Sequence, residues 1–580
     1  MHENNFDIAD WVADRFAENG IDRVFVYPGG TIAPLVNACI RKNIIIENFK
    51  NEQGAGYAAL AFSRLTGKPQ VVMVTSGPGV TNVLTPLADA FYDSTPLVVI
   101  TGQVGTPDLN SRHGVRQRGF QEAPTVAMTS PISKLSVCLS SSKEVYENVP
   151  LAFKLSAEGR HGPVVLDFPM DIQRLEINDL SEILIDDKET NLSTNKKNSF
   201  NIQDSLVKDI ASFGSKAKLP VLLLGQGALI AGLFEEYSEI ANKLDAAVVT
   251  SFLGVGAFDT ENKRYMGYVG HTGHKIANKI VHDSDFLLVL GSRLDIRQTG
   301  NQVKDFVPNG KVAWIDIDEA ELNNPRVDVD WRINSCISEF CESFIPNLKN
   351  RVNEIENDKI DEYASEFLKR FEDIPSINSS NIQPRDLMDC LDPFVKSKKT
   401  IVVTGVGCHQ HWAARHLSFK PNNVKHLSSG GHGAMGYDIP SAVGAAMANP
   451  NDTVLCIVGD GSILMNIQEL ATIKERNLNI KIVVLNNRRL GMVSQFQLIT
   501  WGADPTTGDV ESVDFKSIGQ GFGITSMKLD KNESMKSKIN ELFSSSRPAL
   551  LEVILDYDSD VVPMLLAGQK MDEMWDGRDK

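Results

Sequence analysis

The sequence predicts an α/β protein of three doubly wound parallel-sheet domains, and three observations predict it. Short, almost wholly apolar runs recur along the chain, among them 221–224, 286–290 and 454–458, as strands covered on both faces require. Segments of helical length separate these runs, and strand–helix alternation favours parallel sheets. At 580 residues the chain is also too long for one core and divides into about three units.

The first unit, 1–182, carries strands near 23–27, 70–75, 97–101 and 163–167. A polar stretch without aromatic residues, 186–199, reads as an exposed linker. The second unit, 200–348, has strands at 219–225, 246–250, 286–290 and 312–317. A charged segment, 349–372, reads as a surface helix leading onward. The third unit, 380–580, has strands at 400–404, 454–458, 480–485 and 549–554. A helix from about 466 to 476 falls between its middle two strands.

Composition narrows the function classes. Hydrophobic content of 42% and charged content of 23% are those of an ordinary globular protein. A net charge of -16, without any Lys/Arg block, argues against a nucleic-acid partner. Seven cysteines lack CxxC or zinc-type spacing, which favours a reduced, cytoplasmic setting. The polar N-terminus is unlike a signal peptide, and no apolar run reaches the ~18 residues of a membrane span.

The most informative local feature is Gly459-Asp460-Gly461-Ser462, followed after an apolar run by Asn486-Asn487. Asp460 and Asn487 each follow a predicted strand, so both fall at carboxyl ends of parallel strands, where open α/β sheets bind ligands. Together they can offer two hard oxygens to a divalent ion, which completes its shell with substrate phosphates. A GDG alone is also a common strand-ending turn. The whole pattern resembles the thiamine-diphosphate signature. That resemblance implies Asp460, Asn487 and the backbone carbonyl of Arg489 as Mg²⁺ ligands, with Gly459, Gly461 and Ser462 at the diphosphate.

Further motifs extend the resemblance in order. Pro28-Gly29-Gly30, Asn51-Glu52-Gln53-Gly54, the segment from Thr75 to Asn82, and Phe120-Gln121-Glu122 resemble the first domain of the acetohydroxyacid synthase family. On composition alone Glu52 is an acidic residue favouring a helix N-terminus. The resemblance implies instead a hydrogen bond from Glu52 to the aminopyrimidine ring of thiamine diphosphate. It places Gly29, Gly30 and Asn82 beside that cofactor, and Phe120 and Gln121 near the reacting centre. In the third unit it implies that the loop 428–436, with Gly433 and Met435, carries the pyrimidine; the plain alternative for Met435 is an ordinary core methionine. Val406, His409 and Met492 complete the cofactor contacts, with Cys408 standing where the family usually has Gln. A structural histidine remains the other reading of His409.

The second unit shows no acid–base constellation. Thr250, Leu253, Gly270, His271, Arg293, Arg297, Asp316 and Asp318 follow its strands in sequence. A lone Gly after a strand is a weak nucleotide signal. The series resembles the FAD-binding middle domain of the same family, which implies a structural FAD.

The resemblance therefore implies the thiamine-diphosphate enzyme architecture and a transferase. It would decarboxylate pyruvate and pass the two-carbon acetyl unit to a 2-ketoacid, giving 2-acetolactate. It also implies a site formed between subunits, in a homodimer or homotetramer, with a regulatory small subunit left open. The segment 562–568 resembles the family's terminal segment, which closes over the site. Two departures concern the acceptor. Phe496 stands where the family usually has Trp, in a pocket shared with Met492 and Val493. The loop 104–120 is longer than the family's and carries Arg112, Arg116 and Arg118. It reads either as a solvated basic loop or as an anion clamp, since Arg suits phosphate. A nucleotide-linked ketosugar is thus a second acceptor, and a pyruvate-oxidase-like flavoenzyme a third reading.

Overall fold

Three six-stranded, wholly parallel sheets organise the chain. The computed structural model describes residues 6–109, 114–177, 200, 202–349, 358–369, 382–502, 508–510, 513–531 and 533–577. The first sheet holds β1 (Arg23–Val26), β2 (Ile45–Asn48), β3 (Gln70–Val74), β4 (Leu97–Gln103), β5 (Leu135–Cys138) and β6 (Pro163–Pro169), in the order β2-β1-β3-β4-β6-β5. The second holds β7 (Pro220–Leu224), β8 (Ala247–Thr250), β9 (Tyr265–Tyr268), β10 (Phe286–Leu290), β11 (Lys311–Asp316) and β12 (Trp331–Asn334), in the order β12-β11-β10-β7-β8-β9. The third holds β13 (Thr400–Thr404), β14 (Val424–Ser428), β15 (Thr453–Gly459), β16 (Ile480–Asn486), β17 (Thr525–Leu529) and β18 (Ala549–Ile554), in the order β14-β13-β15-β16-β18-β17. Numbered within each sheet, the first and third share one topology, 2-1-3-4-6-5. The middle sheet runs 3-2-1-4-5-6.

The first and third domains share a hydrophobic core. At its centre the helix Glu52–Thr66 crosses the helix Asp438–Ala448. The crossing is close because Gly444 lies at it, and Gly54 lets the helix Glu52–Thr66 approach Glu469 of the helix Glu469–Glu475. A Cβ on Gly444 would come within 2.0 Å of the Ala58 carbonyl oxygen, and one on Gly54 within 2.4 Å of Glu469 Oε1. Tyr57 and Tyr437 meet edge to face beside it at 5.3 Å. Short side chains thus bring the helix that begins with Glu52 against the domain that carries Asp460.

Several expectations shift. The helix expected over 466–476 is Glu469–Glu475, because the Asn466 amide is turned aside to donate to the Gly436 carbonyl at 2.8 Å. Within 349–372 the structure has the helix Asp358–Lys369, which buries Ile360 and Phe367 in the middle-domain core and so is more than a surface connection. Leu565, Met571 and Met574 join the same core, so part of the expected third unit packs on the second. The linker 186–199 and Arg112 lie outside the described residues. Among the described residues no helix is long and apolar enough to cross a membrane.

Candidate active site

In the third sheet the chain leaves β13 and β15 toward opposite sides, and ligands bind in the crevice at such reversals. β15 and β16 pair with Gly459 beside Leu485, so Asp460 and Asn487 emerge from neighbouring strand ends. Both are buried. Asp460 Oδ1 accepts from Gly461 N at 2.8 Å and Oδ2 from Arg488 N at 2.6 Å. Burial pushes its carboxyl up to about 6. A desolvated carboxylate steered by backbone N–H groups, with an amide oxygen alongside, suits a hard divalent cation. Arg489 follows with its guanidinium buried, 2.6 Å from Asp560 and over the Tyr557 ring.

His409 lies in the first turn of the helix Cys408–His416, against the end of β15; a Cβ on Gly459 would sit 3.1 Å from its Nδ1. Burial holds the imidazole neutral, pushed down to about 3. Its buried Nε2 has no hydrogen-bond partner among the described residues. Such an orphaned group near a helix N-terminus fits an anionic oxygen. Val406 is half-buried on the same turn. Cys408 packs inertly, its thiol pushed up to about 12 by burial.

The loop 428–436 is tied at both ends. Ser429 Oγ accepts from Gly433 N at 3.0 Å and Ala434 N at 3.2 Å. Ser462 Oγ accepts from Gly436 N at 2.9 Å and donates to Asp438 Oδ2 at 2.5 Å. Ser462 therefore holds the loop to the GDG turn. Met435, half-buried, reaches that turn too, since a Cβ on Gly461 would lie 3.3 Å from its Cε.

The first sheet reverses in the same way between β1 and β3. Gly29, beyond β1, has no room for a side chain because Thr75 would be 2.3 Å from a Cβ, whereas Gly30 faces open space. Glu52 is buried at the start of its helix, where Asn51 Oδ1 caps Gln53 N at 2.8 Å. Glu52 Oε2 accepts from Asn82 Nδ2 at 2.9 Å, so Asn82 orients the carboxylate. Gln121, at φ +62, packs against Gly77. Phe120 is 85% exposed, and Val493 and Phe496 on the helix Gly491–Trp501 are nearly half exposed. Met492 is half-buried, Arg116 is exposed, and Arg118 Nε stands 3.7 Å from Asp108.

In the middle sheet the reversal lies between β7 and β10. Their following turns touch: Gly227 N donates to Gly291 O at 2.9 Å, and a Cβ on Gly225 would fall 2.0 Å from that oxygen. A cleft of about 1360 Å³, its open mouth included, begins there. Leu253, His271, Arg293, Arg297 and Asp316 line it. Burial pushes Asp316 up to about 6 and His271 down to about 4. Strand order 3-2-1-4-5-6, glycine turns at the reversal and two arginines fit a dinucleotide. Thr250, Gly270 and Asp318 stand behind the lining. Thr250 Oγ1 is 3.3 Å from the Tyr265 hydroxyl, Gly270 N donates to Asn278 Oδ1 at 2.7 Å, and Asp318 pairs with Arg160 of the first domain at 2.7 Å.

Other residues around the site escape a motif reading. His411 lines the cleft and meets Thr272 Oγ1 at 2.9 Å. Arg415, fully buried, donates to the carbonyls of Thr272 (2.9 Å), Gly273 (3.1 Å), Val562 (2.8 Å) and Pro563 (2.5 Å), fixing the terminal segment. The one signal for them is the density of polar residues in the buried stretch His409-Gln410-His411.

Comparison with known proteins agrees with this arrangement. Residues 6–128 match the family described as thiamine pyrophosphate enzyme, N-terminal TPP binding domain. Residues 207–343 match its central domain and 405–553 its C-terminal TPP binding domain. The chain is 33% identical to the acetolactate synthase isozyme 2 large subunit of Escherichia coli K12, over 98% of each chain. It is 33% identical to the acetolactate synthase large subunit of Lactococcus lactis, over 97% of this chain and 95% of that one. To the chloroplastic acetolactate synthase 1 of Zea mays it is 32% identical, over 98% and 88%.

Proposed function

Because the chain belongs to the thiamine pyrophosphate enzymes, and within them to the acetolactate synthase large-subunit family, we propose that it decarboxylates pyruvate and transfers the two-carbon unit to a 2-ketoacid. The observation that carries this reading is the pair Asp460 and Asn487 on neighbouring strand ends, with the unengaged Nε2 of His409 beside them. Asp460, Asn487 and the Arg489 carbonyl would hold Mg²⁺, and His409 would donate to a diphosphate oxygen. Bound thiamine diphosphate supplies the nucleophilic carbon and the electron sink. Glu52, held by Asn82, would share a proton through its carboxylate with the pyrimidine ring nitrogen. Met435 and the tied loop 428–436 would orient the ring, and Gln121 would lie near the reacting carbon. The middle-domain cleft takes FAD as a structural group.

Glu52 and Asp460 belong to different domains, and large apolar side chains stand exposed on both domains: Phe120 on the first, and Met465, Val493, Phe496 and Trp501 on the third. A homodimer in which the first domain of one chain faces the third domain of the other buries them and completes the site.

One observation favours a second acceptor, a nucleotide-linked ketosugar. Phe496 leans edge-on to Trp501 at 5.5 Å and is 46% exposed, while Arg116 is exposed and Arg118 holds a 3.7 Å pair with the exposed Asp108. Product analysis decides. Incubated with pyruvate, Mg²⁺, thiamine diphosphate and FAD, the protein is expected to give abundant acetolactate by mass spectrometry. Carbon dioxide with little acetolactate until a nucleotide-linked ketosugar is added would sink the 2-ketoacid reading. In the same assay Glu52→Gln should lose about 10²–10⁴-fold in turnover while thiamine diphosphate affinity changes little; near-normal turnover removes Glu52 from the chemistry.

A further inference from the structure

The turn that ends the helix Pro78–Tyr92 joins all three domains. Asp93 is fully buried there, and its carboxylate accepts from Gly430 N at 3.0 Å, Gly431 N at 2.7 Å and the Arg64 guanidinium at 2.8 Å. Arg64 lies on the Glu52 helix and also donates to the Ser428 carbonyl at 2.6 Å and Thr95 Oγ1 at 3.0 Å. On the other side, the Asp93 carbonyl accepts from Gln226 Nε2, just beyond β7, at 2.7 Å. One residue thus bonds the first domain, the middle domain and the loop 428–436.

The same residues wall the middle-domain cleft. Tyr92, Asp93, Gly430, Gly431 and Leu253 all line it. The loop is gripped between two of them. A Cβ on Gly431 would come 2.8 Å from Asp93 Oδ1, and one on Gly430 2.5 Å from the Leu253 side chain. Asp89, one turn earlier, is also buried, and burial together with the Asp93 charge pushes its carboxyl well above the usual range. It is Asp93, not Asp89, whose carboxylate meets the Arg64 guanidinium and the two loop N–H groups.

We infer that Asp93 is a positioning residue through which filling of the middle-domain cleft fixes the loop 428–435, so that FAD and thiamine diphosphate bind cooperatively. The inference rests on the flavin reading of the cleft given above. A filled cleft immobilises Asp93 and Leu253, the loop between them loses its freedom, and the pyrimidine meets a loop already ordered. An effect of this kind is reciprocal: each cofactor tightens the other by one factor.

The test is a binding cycle on the full chain stripped of cofactors, at saturating Mg²⁺, read by quenching of tryptophan fluorescence. In the wild type, saturating FAD should lower the thiamine diphosphate dissociation constant about tenfold, and thiamine diphosphate should lower that of FAD equally. Asp93→Asn should bind each cofactor alone yet lose the coupling, whereas Asp89→Asn, which leaves the Asp93 bonds to Gly430, Gly431 and Arg64 in place, should keep it. A merely structural role for Asp93 would lower stability with and without FAD and leave the coupling factor alone. If Asp93→Asn does not fold, Arg64→Lys, which keeps the charge but gives up the guanidinium bonds to Asp93 and the Ser428 carbonyl, gives the same reading. Coupling that survives in whichever of these variants folds, or is lost equally in Asp89→Asn, overturns the inference. A wild type that takes up FAD without changing thiamine diphosphate affinity sinks the coupling alone. One that takes up no FAD sinks the flavin reading and the coupling with it.

Discussion

Glu52 begins its helix with its carboxylate already engaged by Asn82, so its direction is set before any ligand arrives. Asn82 itself is exposed, and its removal should cost little stability. Asn82→Ala should instead lower turnover roughly 10–100-fold, the equivalent of the ~1.5–3 kcal/mol carried by a hydrogen bond to a charged group. Steady-state rates with an unchanged thermal midpoint check this, and an unaltered rate would leave Asn82 without that role. His409 is the converse case, a buried donor with nothing yet to bind. His409→Ala should weaken thiamine diphosphate binding about tenfold or more at saturating Mg²⁺, by the same estimate. A shift below twofold removes His409 from the diphosphate site. Asp460, Asn487 and Glu52 were legible in the sequence because each sits in a contiguous motif. Arg64, Asp93 and Arg415 were not, since what they hold lies far off: Ser428 is 364 positions from Arg64, and Val562 is 147 from Arg415.

Among the elements, sequence pattern located the four inner strands of every sheet and not the two at its edges. β2, β5, β12, β14 and β17 went unread, and β9 showed only as a glycine-bearing strand end. The physical reason is burial. Inner strands of a parallel sheet are covered on both faces and read as nearly unbroken apolar runs, as β7 and β10 do. β2 is mostly exposed, β17 alternates over five residues and β5 is half-buried throughout, whereas β9 and β14 are largely buried but break their apolar runs with Gly267 and with Lys425 and His426. The small residues of 51–59 announce a closely packed helix, but its crossing with the helix Asp438–Ala448 was hidden, since Gly444 lies far along the chain from Ala58. Gly444→Val tests it: with the Ala58 carbonyl 2.0 Å from the first added atom, overpacking should cost about 1–3 kcal/mol. A lower urea midpoint is expected, and an unchanged one would mean the helices can move apart freely.

At the scale of the whole molecule, two sheets of one topology share a core, and a third of different topology is bound to them at Asp93 and Arg415. The terminal segment belongs to that binding: Asp560 pairs with Arg489, Val561 exchanges two hydrogen bonds with Gln495, and Leu565 N donates to the His271 carbonyl. Deletion from Asp558 onward should therefore unsettle the middle domain before the other two. Limited proteolysis should cut first within 207–343, and a first cut in the third domain would contradict this. Leu565, Met571 and Met574 enter a core whose other members end at Phe367, about two hundred positions earlier. During synthesis, at roughly 5–20 residues per second, the middle domain therefore waits about 10–40 s with an open apolar seam before its own chain supplies the plug. A growing chain in that interval is exposed to chaperones and to its neighbours on the same message, and the emergence of Leu565, Met571 and Met574 decides when the waiting ends.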